Sequence, residues 1–355
     1  MASRSWFQSN AGFAARLVLA LGAGALGGCH TPPAPLSVPP PVQVVPASVP
    51  APRPEAPLGD EIIVADHLFH TGTRVVTWRE PGGYDAYRNE HEPEPVAKKG
   101  QAPAAPAPGR DYEERLLAPR PGEKSARRVV EPGLAALQGA VDQFVLHYDN
   151  VGLSKFCFDT LQRRGLSVHF LLDVDGTIYQ TLDLQDRALH ATTANSRSIG
   201  IEIANIGAFP PAEAALLAQW YRADATGQIR LRLVPPAEAG GPGIRTANFV
   251  ARPARAAPVR GLVQGRELVQ YDYTPEQYAA LIKLTAALCR VFPLLKCDYP
   301  RDAAGRLVTH KLPDAALEKY QGVLGHYHIQ ENKTDPGPAL DWDRLITGAR
   351  GELAK

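Results

Sequence analysis

SIGIEIANIG, residues 198–207, reads as a strand, and the class of fold follows from what surrounds it. Ile199, Ile201 and Ile203 alternate with Gly200 and Glu202, the period of two that sends successive side chains to opposite faces of a sheet. DQFVLHYD (142–149) is a second apolar strand, with His147 near its end. SVHFLLDVDGTIYQTLD (167–183) reads as two strands joined by an Asp-Gly turn. Between and after them come helical patterns. SKFCFDTLQRRG (154–165) starts at Ser154 as N-cap and stops at Gly165, and PAEAALLAQWYRA (211–223) follows later. TPEQYAALIKLTAALCRVF (274–292) has Thr274 as cap, Pro275 at the first position and apolar residues three and four apart. Strands and helices alternate without a regular βαβ rhythm. That predicts an α/β fold with one mixed central β-sheet flanked by helices.

The chain has 355 residues. Leu17 to Leu26 (LVLALGAGAL) is an apolar run preceded by Arg4 and Arg16. It is shorter than the about 20 residues a membrane-spanning helix needs, and residues 1–28 fit an export signal. Leu26-Gly27-Gly28-Cys29 resembles the lipobox of bacterial lipoproteins, which implies lipidation at Cys29. His30 stands where that family's inner-membrane retention signal has Asp, so the implied place is the periplasmic face of the outer membrane, in the cell envelope. Residues 29–57 are rich in Pro, Ala and Val and read as an extended tether. Residues 58–92 read as a small N-terminal β block, in which EIIVADHLF and TRVVTWRE are strands joined by the turn HTG. Residues 93–125 read as a linker, and 126–350 as the main domain with an insertion at 224–272. A net charge of +1 with no basic stripe gives no field for nucleic acid. Of the four cysteines, Cys289 and Cys297 straddle a helix end and are the expected disulfide pair, with Cys157 a buried thiol.

Burying polar residues among apolar ones needs a reason. Taken alone, Glu202 fits an edge strand with one face in water, and His147 fits a satisfied core histidine. GHYHIQENKTDPGP (325–338) changes the reading, because it concentrates histidines, Lys333 and Asp335 in one loop. Hydrolytic zinc sites use three protein ligands and leave one position for water. His147, His326 and Asp335 supply two imidazoles and a carboxylate. Glu202 is available as a base, and Lys333 as a cation for a developing oxyanion.

HY at 147–148, HFLLDVDGTIYQ (169–180), ALHATTAN (188–195), SIGIEIAN (198–205) and GHYHIQENKTDPGPALDW (325–342) resemble, in that order, the type 2 N-acetylmuramoyl-L-alanine amidases. These are zinc amidases related to the peptidoglycan recognition proteins and to the anhydro-muropeptide amidases. The resemblance spans roughly 140–207 and 270–346 and implies that family's α/β fold. It implies one Zn²⁺ held by His147, His326 and Asp335, with Glu202 as base and Lys333 stabilising the oxyanion. Some relatives use a tyrosine two residues before the Phe of HFLLD. Val168 stands there, which leaves proton transfer to Glu202. His190, and beside it Asn195, are the implied substrate-binding residues. His328 replaces an acidic residue and, two strand positions from His326, should face away. His310 reads as surface or loop.

The implied function is zinc-dependent hydrolysis of the amide between N-acetylmuramic acid and the L-alanine of the peptidoglycan stem. The implied partners are peptidoglycan or muropeptides and, through the lipid, a membrane; the protein would be a monomer. The alternative is a non-catalytic peptidoglycan-binding lipoprotein, which would need neither Glu202 nor Lys333. A zinc peptidase cutting the stem itself is the further alternative, and the lack of an HExxH motif counts against it.

Overall fold

Ile199, Ile201 and Ile203 lie on an interior strand of a six-stranded sheet. The computed structural model describes residues 59–88, 112–117, 128–129, 133–232 and 243–355. The sheet strands are β1 (Val75–Thr77), β2 (Gln143–Tyr148), β3 (Phe170–Leu172), β4 (Ile178–Gln180), β5 (Ser198–Ile203) and β6 (Gly322–Gly325). Their order across the sheet is β6-β2-β5-β3-β4-β1. Strands β6, β2, β5 and β3 run parallel. β4 turns back antiparallel to β3, and β1 lies parallel to β4. The sheet is therefore mixed, with helices on both faces.

Alternation decides which face receives what. Phe144 and Leu146 of β2, the three isoleucines of β5, and Phe170 and Leu172 of β3 share one core with helices α2 (Pro275–Val291) and α3 (Trp342–Leu353). Each such side chain stabilises by roughly 1.5–3 kcal/mol when buried, so this face excludes polar groups. Leu171 points the other way and packs on Cys157, Phe158 and Leu161, which are spaced along helix α1 (Ser154–Arg163). His147 and Glu202 alternate onto this second face. Helix α2 starts as its sequence predicts. Thr274 accepts from the Gln277 N–H at 3.0 Å, while the Gln277 side chain accepts from the Thr274 N–H at 2.9 Å.

Several expectations change in detail. EIIVADHLF forms two strands, Glu61–Val64 and His67–His70, because Ala65 and Asp66 adopt positive φ and close a tight hairpin. Val75–Thr77 does not belong to a separate block: it is the edge strand of the central sheet. Within the expected linker, Tyr112–Glu114 pairs with Asp186–Ala188, and Arg115 is buried with its Nε donating to the Leu184 carbonyl at 3.0 Å. Pro211–Gln219 is a 3₁₀ turn rather than an α-helix. Only Leu217 of it is buried, so no apolar stripe holds a full helix on the core. Leu153, not Ser154, is the N-cap residue of α1, and Ser154 is its first helical residue. Cys289 and Cys297, expected as a disulfide, are free thiols in contact with each other; Cys157 is free and buried.

Candidate metal centre

Strand register assembles the site. Glu202 on β5 is the cross-strand partner of His147 on β2, so both side chains leave the same face side by side. On the other flank of β2, Gly325 pairs with Leu146. The next residue, His326, therefore emerges beside His147. The chain then bends through the 3₁₀ turn His326–His328, and the Tyr327 N–H donates to the Asp335 carbonyl at 3.2 Å, which folds Asp335 back over the turn.

His147 Nδ1 lies 3.0 Å from His326 Nδ1, and both nitrogens lie 2.9 Å from Asp335 Oδ2. All three residues are buried. The outer ring nitrogens decide where the protons sit. His326 Nε2 lies 2.6 Å from Gln330 Oε1, so it carries the proton and Nδ1 offers a lone pair. His147 Nε2 meets His190 Nδ1 at 3.0 Å, and His190 Nε2 meets Ser198 Oγ at 3.2 Å. With protons passed outward along that chain, His147 Nδ1 is also a lone pair. Burial, and then the His326 ring, push the His147 imidazole down to about 4, so it stays neutral at physiological pH. Burial alone would raise the Asp335 carboxyl. The His326 and His147 rings outweigh burial and hold it well below the usual carboxylate range. In that tautomer the three inward atoms are lone pairs, one of them on a carboxylate, and they repel unless positive charge, a shared proton or a cation, lies among them. A point about 2 Å from all three atoms exists, the length of zinc bonds to imidazole nitrogen and carboxylate oxygen. The donor set thus fits a zinc ion.

His190 sits behind His147 rather than in front of it. Its room comes from Gly200, where a Cβ would stand 2.6 Å from the His190 ring. Groups that orient a metal-bound histidine typically contribute 10- to 100-fold in metal affinity. His190→Ala should therefore weaken zinc binding by about that factor. Gly200→Ala should do the same by displacing the ring. Competition with a chelating dye measures both; unchanged affinity in either variant would contradict the assignment.

Glu202 is half-buried, and its Oε2 finds no hydrogen-bond partner among the described residues. Burial first, then the Asp335 and Asp149 charges, raise its carboxyl well above the ordinary range, and Lys333 opposes that rise. Lys333 is half-buried and within electrostatic reach of both Glu202 and His147. Asn195 turns inward: its Oδ1 accepts from the Ala191 N–H at 2.6 Å and the His190 N–H at 3.2 Å, which shapes the turn holding His190. His328 faces away, accepting from the Gly325 N–H at 2.9 Å and donating to the Val308 carbonyl at 2.6 Å. His310 is exposed. Sequence reasoning misses Gln330 and Ser198. The spacing of four between His326 and Gln330 is the available sign for the first; nothing marks the second.

Comparison with solved structures finds an endolysin N-acetylmuramoyl-L-alanine amidase, LysCS, from Clostridium intestinale URNW. It is 14% identical, with a TM-score of 0.31, over 60% of this chain and 86% of that one. The E. coli N-acetylmuramyl-L-alanine amidase AmiD, solved with anhydro-N-acetylmuramic acid-L-Ala-D-gamma-Glu-L-Lys, is 16% identical. Its TM-score is 0.33, over 66% of this chain and 65% of that one. No curated protein matches the chain. His326, Lys333 and Asp335 lie beyond the end of the sequence match to a family. Residues 137–233, which carry His147, His190, Asn195 and Glu202, match the family described as N-acetylmuramoyl-L-alanine amidase, and over that stretch the chain is similar to these enzymes.

Proposed function

We propose that this protein is a zinc-dependent N-acetylmuramoyl-L-alanine amidase that serves cell-wall remodelling or recycling. One observation carries the reading: His147 Nδ1, His326 Nδ1 and Asp335 Oδ2 converge within 3.0 Å, with Glu202 in register beside them. The family match over 137–233 supports an amidase acting on peptidoglycan. His147, His326 and Asp335 would hold the zinc ion, which would supply Lewis acidity and lower the pKa of water toward neutrality. Glu202 takes the proton of the attacking water on its free carboxylate oxygen. The Lys333 ammonium meets the charge that develops on the carbonyl oxygen. Glu202 then returns the proton to the departing L-alanine nitrogen. His190 and Gln330 hold the two imidazoles, each through its outer nitrogen.

The export signal, Cys29 and the tether lie outside the described residues. We propose from the sequence that Cys29 carries lipid, and that the enzyme works as a monomer in the envelope, beside its polymer. Purified protein, loaded with zinc or chelated, is incubated with muropeptides and the products are read by mass spectrometry. Zinc-dependent release of stem peptide beginning at L-alanine is expected. Binding without release, with zinc loaded, would favour a recognition protein.

The proton acceptor must be ionised, so hydrolysis is lost as pH falls through the Glu202 pKa. Lys333 lowers that pKa. Lys333→Gln should therefore move the acid limb of kcat/KM to higher pH, measured on the residual activity. A limb that stays put or moves down would separate Lys333 from Glu202.

A further inference from the structure

The insertion has a hairpin, Val259–Val263 paired with Arg266–Gln270, whose turn is Gln264-Gly265. Both turn residues have positive φ, 53° and 69°. Asn or Gly is the usual occupant of the first such position, because a longer side chain is strained there. A glutamine at this position suggests that its side chain is needed. Its Nε2 lies 2.8 Å from the Tyr327 carbonyl, 3.0 Å from that of Gln330 and 3.4 Å from that of Lys333. Its Oε1 accepts from the Lys311 N–H at 3.1 Å. The Gln330 carbonyl also accepts from the Lys333 N–H at 3.2 Å, so this one side chain from a distant segment ties together backbone that is already folded as a loop. At the hairpin's other end, Gln270 donates to the Pro336 carbonyl at 3.2 Å and accepts from the Ala339 N–H at 3.0 Å. The contact is close: a Cβ at Gly337 would stand 2.1 Å from Gln270 Oε1, and one at Gly261 2.8 Å from Pro338.

We propose that this hairpin clamps the loop carrying His326, Lys333 and Asp335, and that Gln264 is a positioning residue acting through the Tyr327–Lys333 backbone on which Lys333 is carried. The role of Lys333 rests on the amidase reading above; the clamp itself does not. The two are tested together on the full-length, zinc-loaded protein. Gln264→Gly relieves the turn and removes the amide, whereas Gln264→Glu keeps the shape and removes the two donated hydrogens. For both, amide hydrogen exchange is measured across the domain, along with Tm, kcat and KM. Exchange at residues 326–337 should rise at least about tenfold while the rest of the domain keeps its protection. Because a misplacement of about 1 Å can cost on the order of 100-fold in rate, kcat should fall about 10- to 100-fold with KM little changed. Unchanged exchange in that loop would overturn the proposal. So would a rise spread evenly over the domain, which would make Gln264 a general stabiliser. If the wild-type protein hydrolyses nothing, the amidase reading fails, and the exchange pattern still decides the clamp.

Discussion

Glu202→Gln should lower kcat on muropeptides by about 10²–10⁴-fold, the usual contribution of a positioned general acid–base group, while zinc still binds. The substitution keeps the size and shape of the side chain and removes its ability to accept a proton. Strand β5 should not notice, because the Ile199, Ile201 and Ile203 face that packs on α2 is untouched. The effect should be large because Glu202 Oε2 has no partner among the described residues and stands beside the triad. No other described protein group therefore occupies that oxygen. Steady-state kinetics with metal content measured on the same preparation checks this. Activity within threefold of wild type would remove Glu202 from the chemistry. Loss of metal along with activity would make it a ligand rather than a base.

Asp335→Ala should abolish stoichiometric zinc binding. Groups that only orient a ligand contribute about 10- to 100-fold in affinity, and Asp335 is one of three donors in direct reach. Its loss should cost more than 100-fold and take hydrolysis with it. The carboxylate is also the only anion of the triad. Without it, two imidazoles remain as donors in a buried site, and neither brings negative charge to offset a dication. Titration against a competing chelator, read beside His190→Ala, ranks the two roles. The alanine at 335 should be the worse variant. If His190→Ala binds zinc more weakly than Asp335→Ala, the assignment of ligand and support is reversed.

The parts of the site on strands are legible in the sequence, because alternation makes a polar residue in an apolar strand conspicuous. Glu202 between Ile201 and Ile203, and His147 beside Leu146, can be placed on one face from the period of two alone. The loop at 325–338 is legible from its composition and from a family resemblance. What pairs across the fold is not. The resemblance aims His190 at substrate, yet His190 backs His147, because Gly200 leaves the space for its ring. Only the three-dimensional approach of those strands makes that visible. Arg115 stands in a charged, linker-like stretch, and its burial depends on carbonyls of Leu184 and Asn195 far along the chain. Gln264 lies in an insertion without motif, and the partners of its side chain lie 47 to 69 residues away. The Thr274 cap carries a local signal, whereas the Ala65-Asp66 turn and a side chain that caps a distant loop carry none.

The most direct test of the proposed chemistry is where the water oxygen goes. Hydrolysis of a muropeptide is run in ¹⁸O-labelled water with zinc-loaded protein, and both fragments are analysed by mass spectrometry. One ¹⁸O in the lactyl carboxylate of the sugar fragment, with an unlabelled stem peptide beginning at L-alanine, is the predicted result. Label in a carboxylate within the peptide, or no cleavage by fully loaded protein, would contradict it.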